Sequence, residues 1–302
     1  MAVLFGTAGV PISAKQTKTT GGIKAVKDLG LDVLEIEFVR GIYLDEKKAN
    51  ECKEIASKNN IILTVHAPYF INFNSDDLNI VKKSQGFIYQ SAKIGWLAGA
   101  KCVVFHPGFY GKKTKDETYK TIKTNLQFVI KQIQKENINI TFCPETMGRV
   151  SQFGTIDEIL QLSVDIPNVK PCLDFAHMWA RTMAKTTTFS EKCVSEMAKT
   201  TTFLENTEKA KEVDGRVFAT EILEKIEKTL GKDALKHLHI HMAGVAYNKN
   251  GEHNHETLEE SKFPWREILD VLKEKEISGT IISESPNIEL DAIRMKEYWK
   301  KH

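Results

Sequence analysis

The residues able to do chemistry sit at the ends of short apolar runs. TVHAPY ends a run at His66, and VVFHPG does so at His106. TFCPETMG carries Glu145, CLDFAH carries Asp174 and His177, LHIHMAG carries His239 and His241, and IISESP carries Glu284. A single histidine at a strand end is commonly a hydrogen-bonded histidine, and a single buried carboxylate is commonly an ion-pair partner. Several carboxylates gathered at one buried spot need a compensating positive charge. These runs offer imidazoles but neither lysine nor arginine. Divalent cations would satisfy both residue types. Imidazole and carboxylate ligands without thiolates suit Zn²⁺, Mn²⁺ or Fe²⁺.

For these groups to meet, the elements carrying them must converge. Strands are expected near Val3–Gly6, Val33–Val39, Ile61–His66, Cys102–His106, Ile138–Glu145, Val169–Asp174, Leu235–Met242 and Thr280–Glu284. Amphipathic helical patterns lie between them, at Lys24–Leu29, Glu46–Lys58, Leu78–Leu97, Lys115–Lys135, Ile156–Leu162, Val217–Leu230, Trp265–Lys275 and Leu290–Lys301. About eight strand-then-helix units in series predict a (β/α)8 TIM barrel, with the metal site at the C-terminal ends of the strands. A doubly wound sheet alternates similarly, but no G-x-G-x-x-G follows the first strand. Side chains two apart on a strand share a face, so Cys102, Cys143 and Cys172 point the same way as His106, Glu145 and Asp174. They read as packing beneath the site and not as ligands.

The bulk composition agrees with an enzyme-sized globular chain. There are 302 residues, 41% hydrophobic and 27% charged, with a formal net charge of +2. A near balance of charge means that any phosphate-binding surface must be local. No apolar run reaches roughly 18 residues, so no membrane span is expected. The N-terminal MAVLFGTAGV lacks the basic start of a secretory signal. Five cysteines without a C-x-x-C pair fit a reducing cytoplasm. One TIM-barrel domain over 1–302 is expected, with an insertion near 183–210. There MAKTTTFSEKCVSE at 183–196 is followed by MAKTTTFLENTEKA at 197–210. This reads as a tandem duplication in a surface segment. The polar stretch GEHNHETLEES at 251–261 reads as a loop after the seventh strand, placed to act as a flap that supplies His253 and His255 to a further metal.

Over nearly the whole chain these motifs resemble the endonuclease IV family of abasic-site endonucleases, within the xylose isomerase-like barrels. The matching features are His66 with Tyr69, the F-H-P-G segment at His106, the E-T pair at Glu145, L-D-x-x-H at Asp174 and His177, and a closing E-S-P at Glu284. The resemblance implies a trinuclear zinc cluster and cleavage of the phosphodiester 5′ to an abasic site in base excision repair. It implies one metal held by His66, His106 and Glu145. A second would be bridged by Glu145 and held with Asp174, a seventh-strand histidine and Glu284. A third would be held by His177, His253 and His255. Glu145 would also orient the nucleophile, and Tyr69 and Arg40 would touch damaged double-stranded DNA. The chain departs from the pattern where H-x-N-D reads HMAG and where D-R-H reads HNH. His239 and His241 share a face, so spacing alone leaves both open, with His241 preferred. The third site could take Mn²⁺ or Fe²⁺ in place of zinc. A monomer is the default.

Two other readings compete. A sugar isomerase or epimerase on the same barrel needs one metal, on Glu145, Asp174, His241 and Glu284, with an acid/base pair for proton transfer beside a carbonyl. A metal- or nucleic-acid-binding relative without activity would keep binding and cleave nothing.

Overall fold

The computed structural model describes residues 2–184 and 213–302. The insertion expected near 183–210 falls almost entirely outside them. Eight strands run parallel: β1 (Val3–Ala8), β2 (Val33–Glu37), β3 (Ile62–His66), β4 (Cys102–Phe105), β5 (Thr141–Pro144), β6 (Cys172–Asp174), β7 (Leu238–Met242) and β10 (Gly279–Ser283). Their order is β5-β4-β3-β2-β1-β10-β7-β6. Parallel bridges Phe142↔Val169 and Glu145↔Cys172 bring the two edges together and all but close the barrel.

Helices fill the connections: α1 (Thr19–Asp28), α2 (Glu46–Asn59), α3 (Leu78–Leu97), α4 (Lys115–Lys135), α5 (Ile156–Asp165), α6 (described over 175–184), α7 (Gly215–Leu230), α8 (Trp265–Glu274) and α9 (Glu289–Lys301). Capping boxes start two of them, Thr114 with Glu117 for α4 and Thr155 with Glu158 for α5. Each box satisfies amide donors that a helix start leaves open. A short 3-10 helix, Lys232–Lys236, occupies the beginning of the run expected as the seventh strand.

Alternation along the strands sorts the core. Phe5, Leu34, Ile36, Leu63, Val65, Val103, Phe105, Phe142, Leu173, Ile240 and Ile281 face the helices and belong to one large apolar core. Their neighbours point into the barrel. Toward the barrel's N-terminal end, Cys102, Val104, Cys143 and Cys172 form a small separate buried cluster.

The stretch expected as a polar loop after the seventh strand is an antiparallel hairpin, β8 (Gly244–Asn248) with β9 (Gly251–Glu256). Ala246 pairs with Asn254 and Tyr247 with Glu252, so His253 is an extra residue, a β-bulge. The turn glycine Gly251 has φ +98°, and a Cβ there would lie 2.1 Å from the carbonyl oxygen of Gly148. The hairpin therefore docks backbone to backbone on the segment after β5. Arg181 of α6 holds that segment, donating to the carbonyls of Met147, Arg149 and Gln152.

Candidate metal centre

The C-terminal ends of the barrel strands bring three groups of ligand atoms together, each within 4.8 Å. His66, His106 and Glu145 form one. Glu145, Asp174, His241 and Glu284 form the second. Asp174, His177 and His255 form the third. Glu145 belongs to two groups, and so does Asp174. Both are fully buried, as is His66.

The histidines are oriented by their second nitrogens. Nδ1 of His66 donates to the carbonyl of Ala67 at 2.7 Å, that of His177 to Thr146 at 3.0 Å, and that of His255 to Glu284 at 3.2 Å. A carbonyl can only accept, so each Nδ1 carries a proton and each Nε2 is the nitrogen turned toward the site, open to a metal ion once its own proton has left. Metal-ligating histidines are held in this way. Nε2 of His66 and of His106 then converge on one Glu145 oxygen, at 3.2 and 3.0 Å. Nδ1 of His241 lies 3.2 Å from both Glu145 and Glu284.

The charges are in tension. Burial favours neutral Glu145, but the charges of His241 and His106 outweigh it and hold its pKa well below the ordinary value. Burial also opposes charge on His66, yet its hydrogen bond to Glu145 and the charge of Glu37 lift its pKa to about 9. For His177, Asp174 and Glu145 overcome burial in the same direction. Burial dominates at Asp174 and raises it. Glu284, drawn by His241 against the effect of burial, drops to about 2.

Cations fit this set of donors. The second carboxylate oxygen of Asp174 and Nε2 of His255 are buried and have no hydrogen-bond partner, and an orphaned buried polar atom needs an explanation. A divalent ion accounts for both.

Among the residues singled out from the sequence, His253 is not brought to the site. The bulge turns it outward, exposed and paired with Asn254. Glu252 takes its place, with a carboxylate oxygen 3.4 Å from Nε2 of His177. An unbulged strand would have kept 253 and 255 on one face; the extra residue puts 252 and 255 there instead. Gly148 makes room for this, since a Cβ on it would lie 2.7 Å from the Cβ of Glu252. Tyr69 is half-exposed beside the mouth. Its ring stacks on His106 at 5.2 Å, and its hydroxyl donates to Glu37 at 2.9 Å. Arg40 is exposed in the turn after β2. His239 lies below His241, with its Nε2 3.2 Å from the other ring's Nε2.

Two carboxylates went unread in the sequence, Glu35 and Glu37 of β2. Glu35 contacts Nε2 of His239 at 2.9 Å and of His241 at 2.8 Å. Burial lifts the Glu37 pKa to about 8, with Glu35 and Glu284 adding to it against the pull of His66. The signal was the alternation in VLEIE, which sets both acids on one face.

Comparison with known proteins places this geometry in a family. The model of the xylose isomerase-like TIM barrel matches residues 23–302. The chain belongs to that family. It is 37% identical over 299 residues to an uncharacterized protein of Methanocaldococcus jannaschii, covering 99% of this chain and 97% of that one. It is 30% identical over 121 residues to a probable endonuclease 4 of Mesomycoplasma hyopneumoniae, a match that spans 39% of this chain and 42% of that protein. The resemblance to endonuclease IV thus has support from curated relatives over part of their length. Two solved structures share the fold. Endonuclease IV from Thermus thermophilus has a TM-score of 0.68 at 16% identity, over 99% and 100% of the chains. A D-tagatose 3-epimerase-like protein has a TM-score of 0.66 at 19% identity, over 98% and 96%.

Proposed function

We propose that the protein is a metal-dependent phosphodiesterase acting on damaged double-stranded DNA, cutting 5′ to abasic sites. The observation that supports this best is the pair of ligand groups beyond the central one. His66 with His106, and His177 with His255, gather around the same Glu145 and Asp174 that complete the central set. A one-metal reaction leaves these four histidines without a metal role.

Zinc ions bound there would supply Lewis acidity and positive charge to a phosphoryl group in an in-line displacement. The chain's own residues do the rest. Glu145 fixes the spacing of two sites and orients the attacking nucleophile. Tyr69 offers an aromatic face at the rim, a surface on which a nucleotide can stack. Arg40 and the loop lysines contact flanking phosphates, so binding weakens as salt rises. An abasic nucleotide has no base to unpair, so turning it into the mouth costs little. The protein acts as a monomer in the cytoplasm. Among the described residues no helix is long and apolar enough to cross a membrane.

The second reading is a sugar epimerase. The group Glu145, Asp174, His241 and Glu284 is complete in itself, and the fold is shared with a D-tagatose 3-epimerase-like protein. Metal counting by mass spectrometry on protein purified without chelator, followed by an abasic-duplex cleavage assay, separates the two. Occupied sites in all three mouth groups with 5′ incision support the nuclease. An ion in the central group alone, no incision, and epimerisation of a ketose would replace it with the epimerase.

A further inference from the structure

We infer that a separate, thiolate-bearing cation site of the zinc class lies beneath the mouth, held by Cys172, His239, Nε2 of His241 and Glu35. This inference is independent of the nuclease reading.

The ligand atoms of Cys172, His239 and His241 all lie within 4.8 Å of one another. The two Nε2 atoms are 3.2 Å apart. Two imidazole nitrogens on one tetrahedral zinc are separated by about 3.3 Å, given Zn–N bonds of roughly 2.05 Å. Glu35 approaches both rings, with one oxygen 2.9 Å from His239 and the other 2.8 Å from His241. The oxygen facing His241 makes no hydrogen bond, although Glu35 is fully buried. A carboxylate oxygen that close to a ring nitrogen without a hydrogen bond is placed as a co-ligand would be.

The surroundings support these ligands from outside. Thr280 Oγ lies 2.7 Å from Nδ1 of His239, and accepting its proton leaves Nε2 free for the site. The Thr64 hydroxyl donates to Glu35 at 2.7 Å. Such outer partners fix the orientation of ligands. From the other end of the barrel a cavity of about 480 Å³, lined also by Thr64, Cys102, Cys143 and Thr280, reaches His239 of the site. The mouth and the floor would thus load from opposite sides.

The chemistry differs from that of the mouth. None of the three mouth groups contains sulfur. Binding at the floor converts the Cys172 thiol to thiolate, and the displaced proton leaves to solvent. His241 turns Nδ1 up and Nε2 down, so with both sites loaded its ring would bridge them as imidazolate, its last ring proton leaving to solvent with that of the thiol.

Cobalt(II) substitution tests this directly, because a thiolate bound to cobalt adds a near-ultraviolet charge-transfer band that imidazole and carboxylate ligands do not. The cobalt-loaded protein is expected to show the band. Cys172→Ser and His239→Gln should abolish it and bind one ion fewer, while Cys52→Ser, altered in α2, should keep it. Cobalt-loaded wild-type protein without the band overturns the proposal, as does a band that survives Cys172→Ser. The wild-type spectrum decides even if a variant fails to fold. Loss of nuclease activity, or its absence throughout, leaves this readout unchanged.

Discussion

The two faces of each barrel strand have different tasks. On β7, Leu238, Ile240 and Met242 face the helices while His239 and His241 face inward. On β6, Leu173 packs outward between Cys172 and Asp174. The outward face gains free energy by removing apolar surface from water, and its side chains need nothing further. The inward face buries Glu35, Glu145 and Asp174 against histidines. That face costs stability unless cations bind it. Chemistry and stability are therefore assigned to alternate residues, and substitutions on the two faces should differ in whether turnover falls along with stability.

The largest effect is expected inward. Glu145→Gln should lower abasic-site cleavage by about 10³-fold or more, the scale of losing an electrostatic group at a reaction centre. Its melting temperature without metal should fall, because His66, His106 and His241 are left buried without the carboxylate that pairs them. Cleavage at wild-type rate would break the assignment of the inward face. The outward counterpart is Phe142→Ala, which should cost ~3–5 kcal/mol in denaturant unfolding. Its turnover per folded molecule should be unchanged, and a comparable loss of kcat would blur the distinction. Chelation comes next. Stripping ions that bind only the folded chain should lower stability by about 2.7 kcal/mol for ligand at a hundred times Kd, measured as a shift in melting temperature. No shift would mean that the inward face holds no cation.

Within the hairpin the contrast is sharper. His255→Ala should release one ion per chain, while His253→Ala should release none and leave stability within about 0.5 kcal/mol. An ion lost with His253 would contradict the bulge. The smallest effect lies outside the three ligand groups, at Glu289, which accepts from the amides of Ile12 and Ser13 at 2.8 Å. Burial raises its pKa, but those amides outweigh it and hold it below the usual value. A depressed folded pKa contributes stability above the unfolded pKa of about 4.3. That contribution fades as pH falls through the folded pKa. Glu289→Gln should cost about 1–2 kcal/mol at pH 7. The gap from wild type should close on acidification, and a gap independent of pH would remove the charge from the explanation.

Much of the barrel was readable because strand alternation and helical periodicity are local. Strand ends carrying His66, His106, Glu145, Asp174 and Glu284 stood out because a polar residue closing an apolar run is visible in one window. Three things were not local. Glu35 and Glu37 lay inside a strand drawn out to Val39, so they read as interior polar positions and not as its end. The choice between His239 and His241 needed depth along the barrel axis, and both proved buried, one above the other. The hairpin was read as a loop because its bulge breaks the alternation that announces a strand. Its spacing pointed to His253 where the fold presents Glu252.

The bulge has a consequence for how this hairpin can vary. A strand is a wave of period two, and the extra residue at 253 shifts its phase by half a period. Position 253 thereby becomes a spacer whose identity is free, while its presence is fixed. Any residue there should serve, yet deleting it would swing Glu252 or His255 to the solvent side. The constraint lies in the count of residues between the two ligands and not in the letter that fills it.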